Sequence, residues 1–207
     1  MNIEITFLSI VIIVASYLIG CINGAYIFSK SVKKEDIRTY GSGNAGATNA
    51  LRTYGFFSGL LVFLIDFFKG MLCVLLWYIF HQSEFVVLLS ALFCVAGHNW
   101  PVFMGFRGGK GVSASAGILV MVDYKLALAA ILIGVVLALL TRMVSVGSLS
   151  ALTLSAVFFI IFKVNICYII LACVLCILSI YQHRLNIVRI INGNENKLSF
   201  GSKKKDK

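Results

Sequence analysis

Hydrophobic and polar positions fall in long blocks rather than at the short period of a soluble amphipathic fold. Apolar runs cover 5–28, 56–80, 85–97, 112–122, 126–140, 146–162 and 164–181. Each predicts a helix, because a bilayer offers the backbone no hydrogen-bond partner outside the chain. Several are shorter than the ~20 residues a full crossing usually needs. Runs 85–97 and 112–122 predict either two short spans or one re-entrant hairpin. Between the runs lie three polar blocks, 41–52, 97–111 and 182–195. The expected architecture is an all-α integral membrane protein of about seven transmembrane helices, some short, in one domain over 1–207.

Composition agrees with that pattern. Charged residues make up 13% of the chain and mean hydropathy is +0.97, whereas soluble domains carry about 25% charged residues. Lys and Arg set orientation, since cytoplasmic loops retain them. With the N-terminus outside, seven crossings and a cytoplasmic C-terminus, fifteen of the 18 Lys and Arg fall inside. Lys125 and Lys163 then fall outside and Lys69 lies within a helix. Arg107 and Lys110 favour a cytoplasmic link between runs 85–97 and 112–122. The net charge of +10 follows from this bias and from the terminal SKKKDK, which suits anionic lipid. No basic stretch is interleaved with aromatics, so a nucleic-acid partner is not expected.

Smaller features add little. LIGC at 18–21 has the shape of a lipoprotein processing site, but no positive stretch precedes it and the apolar run continues through Phe28, which reads as a retained span. Cys173 and Cys176 form a CxxC without a second pair or a histidine at ligand spacing, so they read as packing residues. Asp66 and Lys69 share a helix face inside run 56–80, and an intramembrane ion pair marks either a functional site or a packing device.

The chemistry lies in the polar blocks. GSGNAGATNALR at 41–52 combines mobile backbone, the amides of Asn44 and Asn49, the hydroxyls of Ser42 and Thr48, and the cationic fork of Arg52, a set suited to phosphate. GHNWPVFMGFRGGKG at 97–111 ends in Arg107, Gly108, Gly109, Lys110 and Gly111 directly before an apolar helix, where N–H groups and the helix dipole suit an anion. It is no P-loop, since Gly111 stands where a magnesium-binding hydroxyl belongs. His98 serves packing, phosphate binding or proton handling. QHRLNIVRIINGNE at 182–195 reads as a basic juxtamembrane helix, although a lipid-surface role does not explain Asn186 or Glu195.

In order and spacing the three blocks resemble the motifs of the bacterial acyl-phosphate:glycerol-3-phosphate acyltransferases, the PlsY family. DFFKG at 66–70 is similar to a segment of that family's second helix, and Gln182 is the loosest position of the third motif. The resemblance implies transfer of a fatty acyl group from acyl phosphate to the 1-hydroxyl of sn-glycerol 3-phosphate, giving lysophosphatidic acid and phosphate in phospholipid biosynthesis. It also implies a bacterial cell membrane, a site facing the cytoplasm, and a functional link to an enzyme that makes acyl phosphate. It places Ser42, Arg52, Lys110, His183 and Asn186 around glycerol 3-phosphate. Asn44, Thr48, Asn49, the turn of Gly108, Gly109 and Gly111, and His98 are placed around acyl phosphate, with Arg107 as an extra cation. Glu195 either meets substrate or orients Arg184 or Arg189.

Other glycerol phosphate acyltransferases use a histidine and an aspartate five positions on. Here Val86, Phe103 and Val188 follow His81, His98 and His183 at that spacing, which disfavours thioester donors by that route. Two proton acceptors stay open: an oxygen of the donor phosphate, whose second pKa is about 6, and His98. Ser42 has no base at a predictable local spacing, so an acyl-serine is the weaker route. No cofactor or metal is called for, because the blocks lack clustered carboxylates and Arg and Lys can neutralise phosphate. A transporter for a phosphorylated metabolite and a noncatalytic lipid-binding scaffold are the rival readings.

Overall fold

A computed structural model describes residues 5–198, and the basic run 202–207 lies outside the described residues. The chain folds as α1 (Phe7–Cys21), α2 (Gly24–Phe28), α3 (Ala47–Tyr54), α4 (Phe56–Ile79), α5 (Glu84–Asn99), α6 (Val112–Val122), α7 (Tyr124–Thr141), α8 (Val144–Ile161), α9 (Ile166–Gln182) and α10 (Arg184–Ile191). No strand occurs among the described residues. Among the described residues four helical stretches are long and apolar enough to cross a membrane by themselves, namely α4, α5 continued to Met104, α7 and α8, and up to six spans result if the bent pairs Phe7–Cys21 with Gly24–Lys33 and α9 with α10 each count as one. The shorter apolar helix α6 is a further partial span. The integral membrane, all-α architecture is therefore as expected from the apolar runs.

One run behaves differently from its hydropathy. Run 5–28 is not one helix but breaks after Cys21, with a bend of 44°. Asn23 makes the break: its Oδ1 accepts the Tyr26 N–H at 2.9 Å as the cap of α2, and its Nδ2 donates to Ala45 O at 3.0 Å. Lys69 Nζ donates to Gly20 O at 3.0 Å and Ile22 O at 2.6 Å. Carbonyls freed inside a membrane protein need such a partner.

The closest helix pairs meet at glycines. A Cβ on Gly20 of α1 would lie 2.1 Å from Cys94 O, and one on Gly97 of α5 would lie 2.2 Å from Tyr17 O. The α4–α6 contact repeats this with Gly70 and Gly117, whose Cβ atoms would stand 2.2 Å from Ala114 O and 2.0 Å from Phe67 O. On α7 and α8, Gly134 and Gly147 face each other's carbonyls in the same way. Lipid supplies no hydrophobic force between helices, so backbone approach and van der Waals packing hold the bundle. Gly117→Ala is expected to destabilise the protein by about 1–3 kcal/mol through overpacking, seen as a lower thermal midpoint in detergent. An unchanged midpoint would show that the α4–α6 contact is slack. The core centres on α5, where Val87, Ala91, Cys94 and Val95 pack with Ile118, Phe159 and Leu171.

Candidate active site

The first polar block is a loop running into α3. Gly41 takes φ +57°, and a Cβ there would lie 2.2 Å from Asn49 Oδ1. Asn49 holds the loop: Nδ2 donates to Ile37 O at 3.2 Å and Tyr40 O at 2.9 Å, while Oδ1 accepts the Ser42 N–H at 2.9 Å. Expected as a substrate donor, Asn49 has its amide engaged within the loop and sets the position of Ser42. Arg52, one turn further along α3, gives one Nη2 hydrogen to Asn196 O at 3.1 Å and keeps a buried Nε without a partner.

The second block folds back on the end of α5. Gly109 N–H donates to His98 O at 3.0 Å and Gly108 N–H to Asn99 O at 3.1 Å. Side chains at either glycine would collide with those carbonyls or with the His98 ring. Both N–H groups, read from the sequence as suited to an anion, close the turn. Gly111, at φ +79°, then starts α6, and Lys110 Nζ donates to Asn186 Oδ1. Burial pushes Lys110 down to about 8, with Arg189 and Arg52 acting in the same direction and Glu195 opposing them.

His98 is joined to a pair already visible in the sequence. Its Nδ1 lies 2.8 Å from Lys69 Nζ and 3.4 Å from Asp66 Oδ1, and Lys69 Nζ lies 2.8 Å from Asp66 Oδ1. All three side chains are buried. The Asp66–Lys69 pair thus both ties α4 to the break in α1 and supports a cavity-lining histidine.

The third block contributes a carboxylate hub. Glu195 Oε1 accepts from Asn186 Nδ2 at 2.6 Å and Ser145 Oγ at 2.9 Å, and Oε2 accepts from Arg189 Nε at 2.9 Å. Burial works against its ionisation, but these donors outweigh it and hold the carboxyl below the usual range. Of the two arginines expected as its partner, Arg189 is the one; Arg184 donates to Tyr181 O at 3.0 Å and stacks on that ring at 4.5 Å. His183, at the bend between α9 and α10, meets Ser179 O through Nδ1 at 2.8 Å.

The three blocks converge on one cavity of about 260 Å³. Its polar end is lined by Ser42, Asn44, Thr48, Asn49 and Arg52, by His98, Lys110 and Gly111, and by His183, Asn186 and Glu195. Its apolar end lies among Phe63 of α4, Leu119 of α6, Ile131 and Val135 of α7, and Ala151 and Leu152 of α8. From Ser145 to Ser155 it follows α8 for about 15 Å at ~1.5 Å per residue. Gly108 and Gly109 do not line it; with Arg107 they line an adjoining polar cavity of about 260 Å³ that shares Ser42, Asn44, Lys110 and Asn186. Sequence reasoning missed Ser145, because it sits at the edge of an apolar run and only its contact with Glu195 marks it. It also missed that Asp66 and His98 belong together.

A cationic head continuous with an apolar channel accommodates an amphiphile with an anionic group at one end. Lys110 is cationic below its pKa and neutral above it. The apparent KM for a phosphate-bearing substrate is therefore expected to rise above pH ~8. The Lys110→Arg variant should lack this rise, which kcat/KM measured from pH 6.5 to 9.5 would check.

Comparison with known proteins points to one family. The family model for glycerol-3-phosphate acyltransferase matches residues 10–193. A glycerol-3-phosphate acyltransferase of Thermoanaerobacter sp. (strain X514) is 44% identical over 186 residues, covering 89% of this chain and 93% of its own. One from Clostridioides difficile (strain 630) is 42% identical over 206 residues, covering 94% and 97%. Among solved structures, the chain is similar to PlsY, an integral membrane glycerol 3-phosphate acyltransferase, in its glycerol 3-phosphate form. That likeness has a TM-score of 0.88 at 34% identity and covers 92% of this chain and 96% of that one. The lysophosphatidic acid form of the same protein gives 0.85 at 33% identity, covering 92% and 95%.

Proposed function

Because the chain belongs to the glycerol-3-phosphate acyltransferase family, we propose that it moves a fatty acyl group from acyl phosphate to the 1-hydroxyl of sn-glycerol 3-phosphate, releasing lysophosphatidic acid and phosphate. The reaction takes place in a bacterial cell membrane, in a single domain whose site opens to the cytoplasm. The observation that carries this reading is the joined cavity, with Arg52 and Lys110 at its head and an apolar channel between α6, α7 and α8. The relative solved in glycerol 3-phosphate and lysophosphatidic acid forms supports the acceptor and the product.

In this reading the acyl tail occupies the channel, the phosphate of glycerol 3-phosphate lies among Ser42, Arg52, Lys110, His183 and Asn186, and the donor phosphate lies toward Asn44, Thr48 and His98. The acceptor hydroxyl oxygen attacks the acyl carbon, the bond from that carbon to the phosphate oxygen breaks, and the hydroxyl proton passes to the departing phosphate. A phosphate oxygen is basic enough for this, with a second pKa of about 6. The protein contributes orientation and charge neutralisation. Glu195 acts indirectly, by holding Asn186 against Lys110.

Purified protein given palmitoyl phosphate and glycerol 3-phosphate should make lysophosphatidic acid, and palmitoyl-coenzyme A should not replace the donor. Product from the thioester but not from acyl phosphate would overturn the donor assignment. A cysteine at Phe103, which is exposed, should react with an impermeant thiol reagent from the cytoplasmic side only. Reaction from the outer side would reverse the orientation.

A further inference from the structure

The two histidines of the site present Nδ1 to partners of opposite kind, an ammonium at His98 and a carbonyl at His183. Four acceptors surround Lys69 Nζ: Ile22 O at 2.6 Å, Asp66 Oδ1 and His98 Nδ1 each at 2.8 Å, and Gly20 O at 3.0 Å. An ammonium has donors and no acceptor, so a proton on His98 Nδ1 would point a second donor at Lys69. The other acceptor within reach of Nδ1 is Asp66 Oδ1 at 3.4 Å, beyond the usual N–H···O range of about 2.7–3.2 Å. His98 Nδ1 therefore accepts and Nε2 carries the hydrogen. Nε2 lies against Gly109, since a Cβ there would fall 2.1 Å from it, and the ring lines the cavity that carries the apolar channel. At His183 the polarity is reversed: a carbonyl can only accept, so Nδ1–H donates to Ser179 O and Nε2 keeps its lone pair.

We infer that Lys69 is a positioning residue that fixes His98 as an N–H donor toward substrate phosphate, which removes His98 as the proton acceptor of the reaction. What the Nε2–H meets rests on the acyl-transfer reading; the tautomer does not. Lys69 thereby links the break in α1 to the site, because the same ammonium caps the carbonyls of Gly20 and Ile22.

Nitrogen-15 NMR of histidine-labelled protein in lipid nanodiscs tests this, with the His98 signal assigned by its absence in His98→Gln. The expected wild-type spectrum has a protonated Nε2 and bare Nδ1 at His98, and the reverse at His183. A protonated Nδ1 at His98 would overturn the inference without any variant. In Lys69→Met the His98 proton should move to Nδ1, toward Asp66, and kcat should fall about 10²-fold, the scale of losing one aligned donor, with less change in KM. Lys69→Arg should restore part of both. A Lys69→Met protein that keeps kcat within about twofold would also overturn it. Intact tautomers with no turnover of palmitoyl phosphate would instead sink the donor assignment and leave the histidine assignment supported.

Discussion

Lys110→Met is expected to lower kcat/KM by about 10³-fold with either substrate varied, while helix content stays unchanged. Lys110 lines both the cavity with the apolar channel and the adjoining polar one, so in the proposed reaction its charge would face both phosphate-bearing substrates. Removing a single aligned donor from a water-poor site costs about 10²–10³-fold, and Lys110 also loses its bond to Asn186 Oδ1. Folding should not suffer, because the ammonium is costly to bury and a methionine of similar length fills the space. Arginine should recover only part of the activity, since its planar fork cannot reproduce a single ammonium contact. Initial rates of phosphate release, measured alongside circular dichroism, decide the matter. A loss below about tenfold would remove Lys110 from the centre of the site.

Glu195→Ala is expected to cost both stability and rate. Glu195 collects three donors, Asn186, Ser145 and Arg189, from the third block and α8. Without it a buried Asn186 amide and the Arg189 guanidinium lose their partner. A hydrogen bond to a charged group contributes about 1.5–3 kcal/mol, and because these interactions are not additive, a loss of about 3 kcal/mol is the expected total. Activity should drop about 10²-fold beyond the loss of folded protein, since Asn186 no longer holds Lys110. Glu195→Gln keeps an acceptor for Ser145 and Asn186 and loses mainly the pairing with Arg189, so it should fall between. Thermal midpoint and kcat measured on the same preparations separate the two effects. Full rate in a destabilised Glu195→Ala protein would assign the hub to stability alone.

Much of this was legible along the chain because the bilayer imposes long apolar runs, and six of the seven runs became helices with edges shifted by about one or two residues. The break after Cys21 is hidden from hydropathy, which does not register a capping asparagine such as Asn23 inside an apolar run. The three blocks could be read as anion-suited from residue type, but their meeting could not, because nothing in local spacing brings 41–52, 97–111 and 182–195 together. Roles inside the blocks were harder still. Asn49 and the N–H groups of Gly108 and Gly109 looked available and are consumed by their own loops. Asp66, Lys69 and His98 come from two helices, so their contact depends on how α4 packs against α5. Glycine positions such as Gly70 and Gly117 carry no signal within their runs, yet they set how closely α4 packs against α6.

The most direct test of acyl transfer from acyl phosphate is the fate of an isotope in the bond that breaks. Palmitoyl phosphate carrying oxygen-18 in the bridging position is supplied with glycerol 3-phosphate to the purified protein, and the products are read by mass spectrometry. Attack on the acyl carbon should put the label in inorganic phosphate, one phosphate for each lysophosphatidic acid formed. Label retained in palmitate, or phosphate release that does not depend on glycerol 3-phosphate, would contradict it.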